Sequence, residues 1–130
     1  MHNSSPVKDE RPVNLQLTTI RFPLAAITSI LHRISGMALF FGIAILLYLL
    51  NVSLESQAGF ESVRAMLNSL LIRLILWLLL SALLYHLIAG AKHLLLDWGI
   101  GESKQGAKTG ASVTLGLAIL ASVLGGIWLW

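Results

Sequence analysis

The chain reads as an all-α integral membrane protein with three transmembrane helices running up, down and up. Two observations predict this. Hydrophobic residues make up 56% of the 130 positions and charged residues only 12%, whereas ordinary soluble chains carry about 25% charged residues. The apolar residues also gather into three long runs separated by short polar breaks. A soluble fold this small could not hide so much apolar surface in one core, so a bilayer is its natural solvent. Residues 1–23 form a cytoplasmic N-terminal segment on this reading. Residues 24–130 form a single membrane domain, with helices at about 24–50, 66–96 and 109–130.

Residues 1–10 are polar, mixed in charge, and lack the apolar core of a signal peptide. Residues 13–22 begin with an apolar and polar alternation and are expected to be extended or interfacial. Pro23 then stands where a helix can start, since proline is tolerated at the first turn. Run one is interrupted near its start by Ser29, His32 and Arg33, and residues 51–59 are a polar break. Run two carries Arg73 near its start, expected to snorkel outward, and His86 near its end. Residues 97–108 are a second break, rich in glycine and charge, and run three holds no charged residue. Each run supplies the ~20 residues that cross a hydrocarbon core about 30 Å thick. Segments of this length satisfy their backbone in lipid as helices.

Lysine and arginine in the loops set the expected orientation. The N-terminal side holds Lys8, Arg11 and Arg21, and the second loop side holds Lys92, Lys104 and Lys108. The first loop holds Arg64 beside Glu55 and Glu61. The N terminus and second loop are therefore expected inside and the C terminus outside. Trp128 and Trp130 fall in the outer interfacial belt and Trp98 in the inner one.

Several function classes are excluded. The net charge of +3 and pI of about 9.7 come from scattered residues, without the basic cluster on one face that nucleic acid requires. There is no cysteine, so no disulfide, thiolate metal site or iron–sulfur cluster is held by this chain alone. No triad, phosphate loop or paired carboxylate is present, and a small multidrug transporter would want an intramembrane glutamate that no run contains.

The polar residues inside the runs carry the functional information. A charged side chain at the centre of a span costs about 2.5–3.5 kcal/mol on insertion scales, so such groups are functional candidates. Ser29, His32, Arg33 and Gly36 fall within an arc of about 100° on one helix face. His86, Gly90, His93 and Asp97 form a narrower stripe flanked by Ala82 and Ala89. His86 sits about 15 Å from the end of its run at 1.5 Å per residue, so both faces lie at similar depth in the inner half. Small residues around His86 leave room for something flat. Plainer readings stand beside these. Arg33 also fits snorkelling to headgroups, and Lys92, off the stripe, reads as a headgroup contact. His93 and Asp97, four apart, fit a local interfacial pair, and His86 fits a structural role as well as ligation. As a ligand, imidazole suits haem iron, zinc or copper. The lack of a neighbouring carboxylate or thiol argues against zinc. Haem propionates would want donors such as Arg33 and His32.

Two motifs then stand out. Arg11-Pro12 is followed by Ser29-x-x-His32-Arg33-x-Ser35-Gly36, and run two carries His86-x-x-x-Gly90-x-Lys92-His93-x-x-x-Asp97-x-Gly99. With them, over essentially its whole length, the chain resembles the cytochrome b subunits of succinate dehydrogenase, respiratory complex II. The resemblance implies a membrane-anchor and electron-transfer subunit of a succinate:quinone oxidoreductase in a bacterial inner membrane, with the C terminus periplasmic. It implies His86 as an axial ligand of haem b, the other axial histidine coming from a second membrane-anchor subunit. It implies that Ser29 and Arg33 line the site that reduces ubiquinone, and that His32 and Arg33 lie near the propionates. His93 and Asp97 are candidate supporting residues. A flavoprotein subunit and an iron–sulfur subunit would dock on the cytoplasmic face, leaving this chain no groups for succinate oxidation itself. Lys92 stands where the family is expected to carry arginine, which keeps the charge and loses the planar fork. A fumarate reductase anchor and a non-redox structural anchor are the alternatives.

Overall fold

The computed structural model describes residues 22–130. The expectations for residues 1–21, including most of the extended stretch and the Arg11-Pro12 signature, lie outside the described residues. Four helices follow in order: α1 (Leu24–Glu55), α2 (Gln57–Leu67), α3 (Leu70–Asp97) and α4 (Lys104–Leu129). Among the described residues there is no strand. The three long helices are apolar and long enough to cross a membrane, and each packs against the other two.

Pro23 opens α1 as expected, its carbonyl accepting from the amides of Ala26 and Ile27 at 2.9 and 3.3 Å. The polar stretch that begins at Asn51 does not end the helix. With 32 residues α1 is about 48 Å long at 1.5 Å per residue, well beyond the hydrocarbon thickness. Its last turn is polar and exposed, and there the Asn51 amide donates to the Glu55 carboxylate at 2.7 Å. The chain breaks at Ser56, whose backbone is extended and whose hydroxyl accepts from the Gly59 amide at 3.0 Å. That cap starts α2, a short helix absent from the reading of the sequence. Its amphipathic residues bury only Val63, too small a face to register as an apolar run. Met66 and Leu67, assigned above to run two, close α2 instead. Run two starts after the cap by Ser69, whose hydroxyl accepts from the Ile72 amide at 3.3 Å.

The turn from α3 to α4 needs two residues in the left-handed region, and Gly99 (φ 77°) and Gly101 (φ 85°) supply them without the steric cost a side chain brings. The amides of Gly99 and Ile100 close the end of α3 on the carbonyls of Leu96 and Leu95, each at 2.9 Å. The Ser103 hydroxyl then accepts from the Gly106 amide at 2.9 Å, so α4 begins at Lys104, ahead of the apolar run that starts at residue 109.

What is buried is small. In α1 it is Thr28, Ser35 and Gly42, spaced by seven and so on one face. In α3 it is Ala89, and in α4 Ala111, Thr114 and Ala118. Large apolar side chains such as Phe40, Phe41 and Leu54 point outward. This inversion of a soluble core is what lipid requires: helices associate through small residues that let backbones approach, while bulky groups meet the acyl chains. At the end away from the α3–α4 turn, the Trp77 indole Nε1 donates to the Ser122 carbonyl at 2.9 Å, tying α3 to α4.

Candidate functional site

The close approach of α1 and α3 brings the two expected histidine faces together. The rings of His32 and His86 stack with centroids 4.1 Å apart and planes inclined by 22°. His93, two turns from His86 on α3, places its ring 5.1 Å from that of His32. The three imidazoles border a groove of about 470 Å³ completed by Leu87, Gly90, Ala91 and Leu94. Gly36 makes the approach possible, and Gly90 leaves ordinary contact distance to His32. A Cβ on Gly36 would lie 3.0 Å from His86 Cε1, and one on Gly90 would lie 3.6 Å from His32 Nε2.

Behind the His86 ring, three hydrogen bonds determine its tautomer. The Ser35 hydroxyl donates to the His32 carbonyl at 2.8 Å. His86 Nδ1 lies 3.1 Å from that same carbonyl and 3.0 Å from Ser35 Oγ. A carbonyl oxygen can only accept, so Nδ1 carries the proton and donates there. The serine hydrogen is already spent on the carbonyl, so Ser35 Oγ accepts from Nδ1 as well. Neutral imidazole has one N–H. In the neutral ring, Nε2 of His86 is then the unprotonated lone pair, the form in which histidine binds a metal. On the His32 ring, Nε2 is buried without a hydrogen-bond partner among the described residues.

The other expected residues are arranged around this cluster. Ser29 is half-buried and Arg33 exposed on α1, and neither lines the groove. Asp97 ends α3 on the exposed side and stands outside the groove that His93 lines. Arg73, half-buried at the other end of α3, donates to Asn68 Oδ1 at 3.2 Å.

Lys92 departs from the expectation of a headgroup contact. It is half-buried, its stem passes Gly110 of α4 with Cε 3.9 Å from where a Cβ would stand, and its ammonium donates to Thr28 Oγ1 at 3.4 Å. The absence of a side chain at Gly110 admits the lysine stem into the seam, and the threonine hydroxyl gives its charge a partner there. Thr28 is 1% exposed. Its carbonyl also accepts from the Tyr85 hydroxyl at 2.6 Å. Thr28 and Ser35 thus join α1 to α3 on either side of His32. Reading the sequence left both without a role, although their period of seven with Gly42 in an apolar run marks one helix-facing side.

Among the described residues, no group of three or more histidine, cysteine, aspartate or glutamate side chains could hold a metal ion. The arrangement instead offers one oriented imidazole lone pair beside a groove, which can fill one position of a metal whose other ligands come from elsewhere.

Residues 7–125 match the family model described as succinate dehydrogenase/fumarate reductase transmembrane subunit. The chain is 41% identical over 122 residues to the succinate dehydrogenase cytochrome b556 subunit of Coxiella burnetii, covering 93% of this chain and 98% of that one. It is 38% identical over 115 residues to the cytochrome b556 subunit of Paracoccus denitrificans, covering 88% of each. It is 32% identical over 120 residues to the cytochrome b560 subunit of Reclinomonas americana, covering 88% of this chain and 83% of that one. A match that spans nearly the whole length, on a fold of three apolar helices, places this multi-pass membrane chain in the succinate dehydrogenase/fumarate reductase transmembrane subunit family.

Proposed function

We propose that the chain is the cytochrome b anchor of a succinate:quinone oxidoreductase, set in a bacterial inner membrane with its N terminus inside and its C terminus in the periplasm. The observation that carries this reading is the His86 tautomer: Nδ1 donates to the His32 carbonyl and Ser35 Oγ, which leaves Nε2 free to ligate. The residues fit a haem b. His86 of this chain and a histidine of a second membrane subunit would hold the iron of that group. Gly36 leaves room for the His86 ring, and the groove that Gly90 helps line beside the imidazoles is otherwise apolar. His32, packed between His86 and His93, and the exposed Arg33 are the donors available to propionates. His93 supports His32, and Asp97 stands at the aqueous edge of the same stripe. Haem bound here supplies a one-electron store within the membrane.

Ubiquinone is the electron acceptor on this reading. It takes two electrons, delivered from succinate through the flavoprotein and iron–sulfur subunits, and two protons. The Ser29 hydroxyl hydrogen-bonds a quinone carbonyl. The Arg33 guanidinium stabilises the negative charge that develops on the quinone oxygen during reduction. The second membrane subunit closes the groove over the imidazoles.

The test is an absorption spectrum of the purified membrane complex from cells carrying the parent chain or His86→Ala. Sharp reduced b-type bands in the parent, lost in the variant, support the assignment. A parent complex without such bands removes it.

A further inference from the structure

Ser35 is 7% exposed and sits between two cavities. On one side is the imidazole groove. On the other, Ser35 itself lines a space of about 540 Å³ between α1, α3 and α4, whose walls are mostly apolar, among them Leu31, Ile34, Ala38 and Leu115. Its hydroxyl hydrogen is committed to the His32 carbonyl at 2.8 Å. The oxygen lone pairs are therefore directed at acceptance, and His86 Nδ1 lies 3.0 Å away. Hydrogen bonds in such apolar surroundings are electrostatically stronger than in water.

We infer that Ser35 is a positioning residue that holds His86 in its ligating tautomer and raises the electron-donating strength of Nε2. The inference rests on the haem reading above and adds a residue to it. A histidine that donates its second ring N–H to an acceptor is fixed in orientation and becomes a more basic ligand. Two acceptors on Nδ1, one from the backbone and one from a side chain, push it further toward imidazolate. A more basic ligand favours the oxidised iron and holds the midpoint potential down. Of the two acceptors, the carbonyl cannot be removed by substitution, so Ser35 is the one that evolution or an experimenter can tune.

The experiment is a redox titration of the b-type haem in the intact complex, with haem content measured alongside. Ser35→Ala is expected to keep the haem, because the carbonyl still accepts from Nδ1, and to move the midpoint to more positive potential. Losing one hydrogen bond of ordinary strength corresponds to about a fivefold rise in the ratio of reduced to oxidised haem at the parent's midpoint. Ser35→Thr, which retains the hydroxyl, is expected to restore the parent value. Should the alanine variant lose haem, Ser35→Cys, similar in size and a weak acceptor, decides in its place and is expected to shift the same way. An unchanged midpoint with full haem in the deciding variant overturns the role of Ser35 and leaves the haem assignment standing. A parent complex that contains no haem ligated by His86 overturns the assignment itself.

Discussion

His32 of α1 lies flat against His86 of α3, with ring centroids 4.1 Å apart, and it is the backbone of His32, not its ring, that holds the His86 N–H. The two histidines therefore serve different ends although they touch. The side chain of His32 shields the ring of His86 and presents its own buried Nε2. The carbonyl of His32 sets the His86 tautomer, and it remains whatever side chain occupies position 32.

That separation predicts opposite outcomes for two substitutions. His86→Ala removes the lone pair that the Nδ1 hydrogen bonds orient for ligation and should abolish the b-type spectrum, while much of the helix packing survives. His32→Ala leaves the carbonyl and the Ser35 hydroxyl in place, so most of the haem should be retained, with altered bands or potential. Haem-to-protein ratios in the two purified variants check this. Retention of a normal spectrum in His86→Ala, with loss in His32→Ala, would transfer the ligand role to His32.

Gly36 gives a steric test of the same geometry. Its missing side chain is what lets the His86 ring approach, since a Cβ would sit 3.0 Å from Cε1. Gly36→Val adds three carbon atoms at that contact and should displace the ring from its acceptors, losing most of the haem. Gly116 has open space where a Cβ would stand, so Gly116→Ala should leave haem content unchanged and gain slightly in helix propensity. Equal haem in both variants would mean that the ring relaxes freely and that the close approach has no functional weight.

The residues that were legible in the sequence are those that violate their surroundings. His32, His86 and His93 announce themselves as polar side chains in apolar runs, and helical periodicity alone places them on two facing stripes. The three spans follow from the same contrast. Residues that do not violate their surroundings stayed silent. Ser35 and Thr28 are small and common at membrane helix contacts, so their roles emerge only when α3 supplies the Nδ1 of His86 and the hydroxyl of Tyr85. Lys92 shows the limit of helical-wheel reasoning. Its angle separates it from the histidine stripe, but only the position of Gly110 on α4 reveals that this direction leads into the protein and not to lipid. The helix ends were misread for a related reason: hydropathy marks where the membrane stops, while α1 continues to Glu55.

Ser29 and Arg33 carry the quinone prediction. Both lie on α1 beside the imidazole cluster without lining its groove, which suits a neighbouring site on the path from the soluble subunits. Ser29→Ala and Arg33→Leu should lower succinate:quinone activity and spare electron transfer from succinate to a soluble dye. Removing one donor to a reacting oxygen costs about 2.7–4 kcal/mol in other enzymes, so losses of about 10²–10³ in rate are within reach. Arg33→Leu should be the more severe, because it also removes a candidate propionate donor. Paired assays on the same membranes check this, and a parallel fall of both activities in Ser29→Ala at constant enzyme content removes the serine from the quinone site.

Topology decides whether all of these placements point the right way. The turn between α3 and α4 precedes Lys104 and Lys108 at the start of α4, whereas the connection from α1 to α3 carries Arg64 with Glu55 and Glu61. Positive charge in short loops is retained on the cytoplasmic side, and acidic residues contribute little. Reporter fusions after Gly101 should therefore report the cytoplasm, and fusions within α2 or after Trp130 the periplasm. The geometry supplies an internal check, because Ser29, Arg33 and His86 lie nearer the α3–α4 turn than α2 in their helices, and the same fusions thus report which leaflet holds the site. Lys104→Glu together with Lys108→Glu should weaken the bias and yield mixed topology when the anchor is expressed without its partners. A periplasmic α3–α4 turn in the parent chain would put the imidazole cluster on the side away from any cytoplasmic dehydrogenase, and the electron path proposed above would have to be abandoned even if haem were bound.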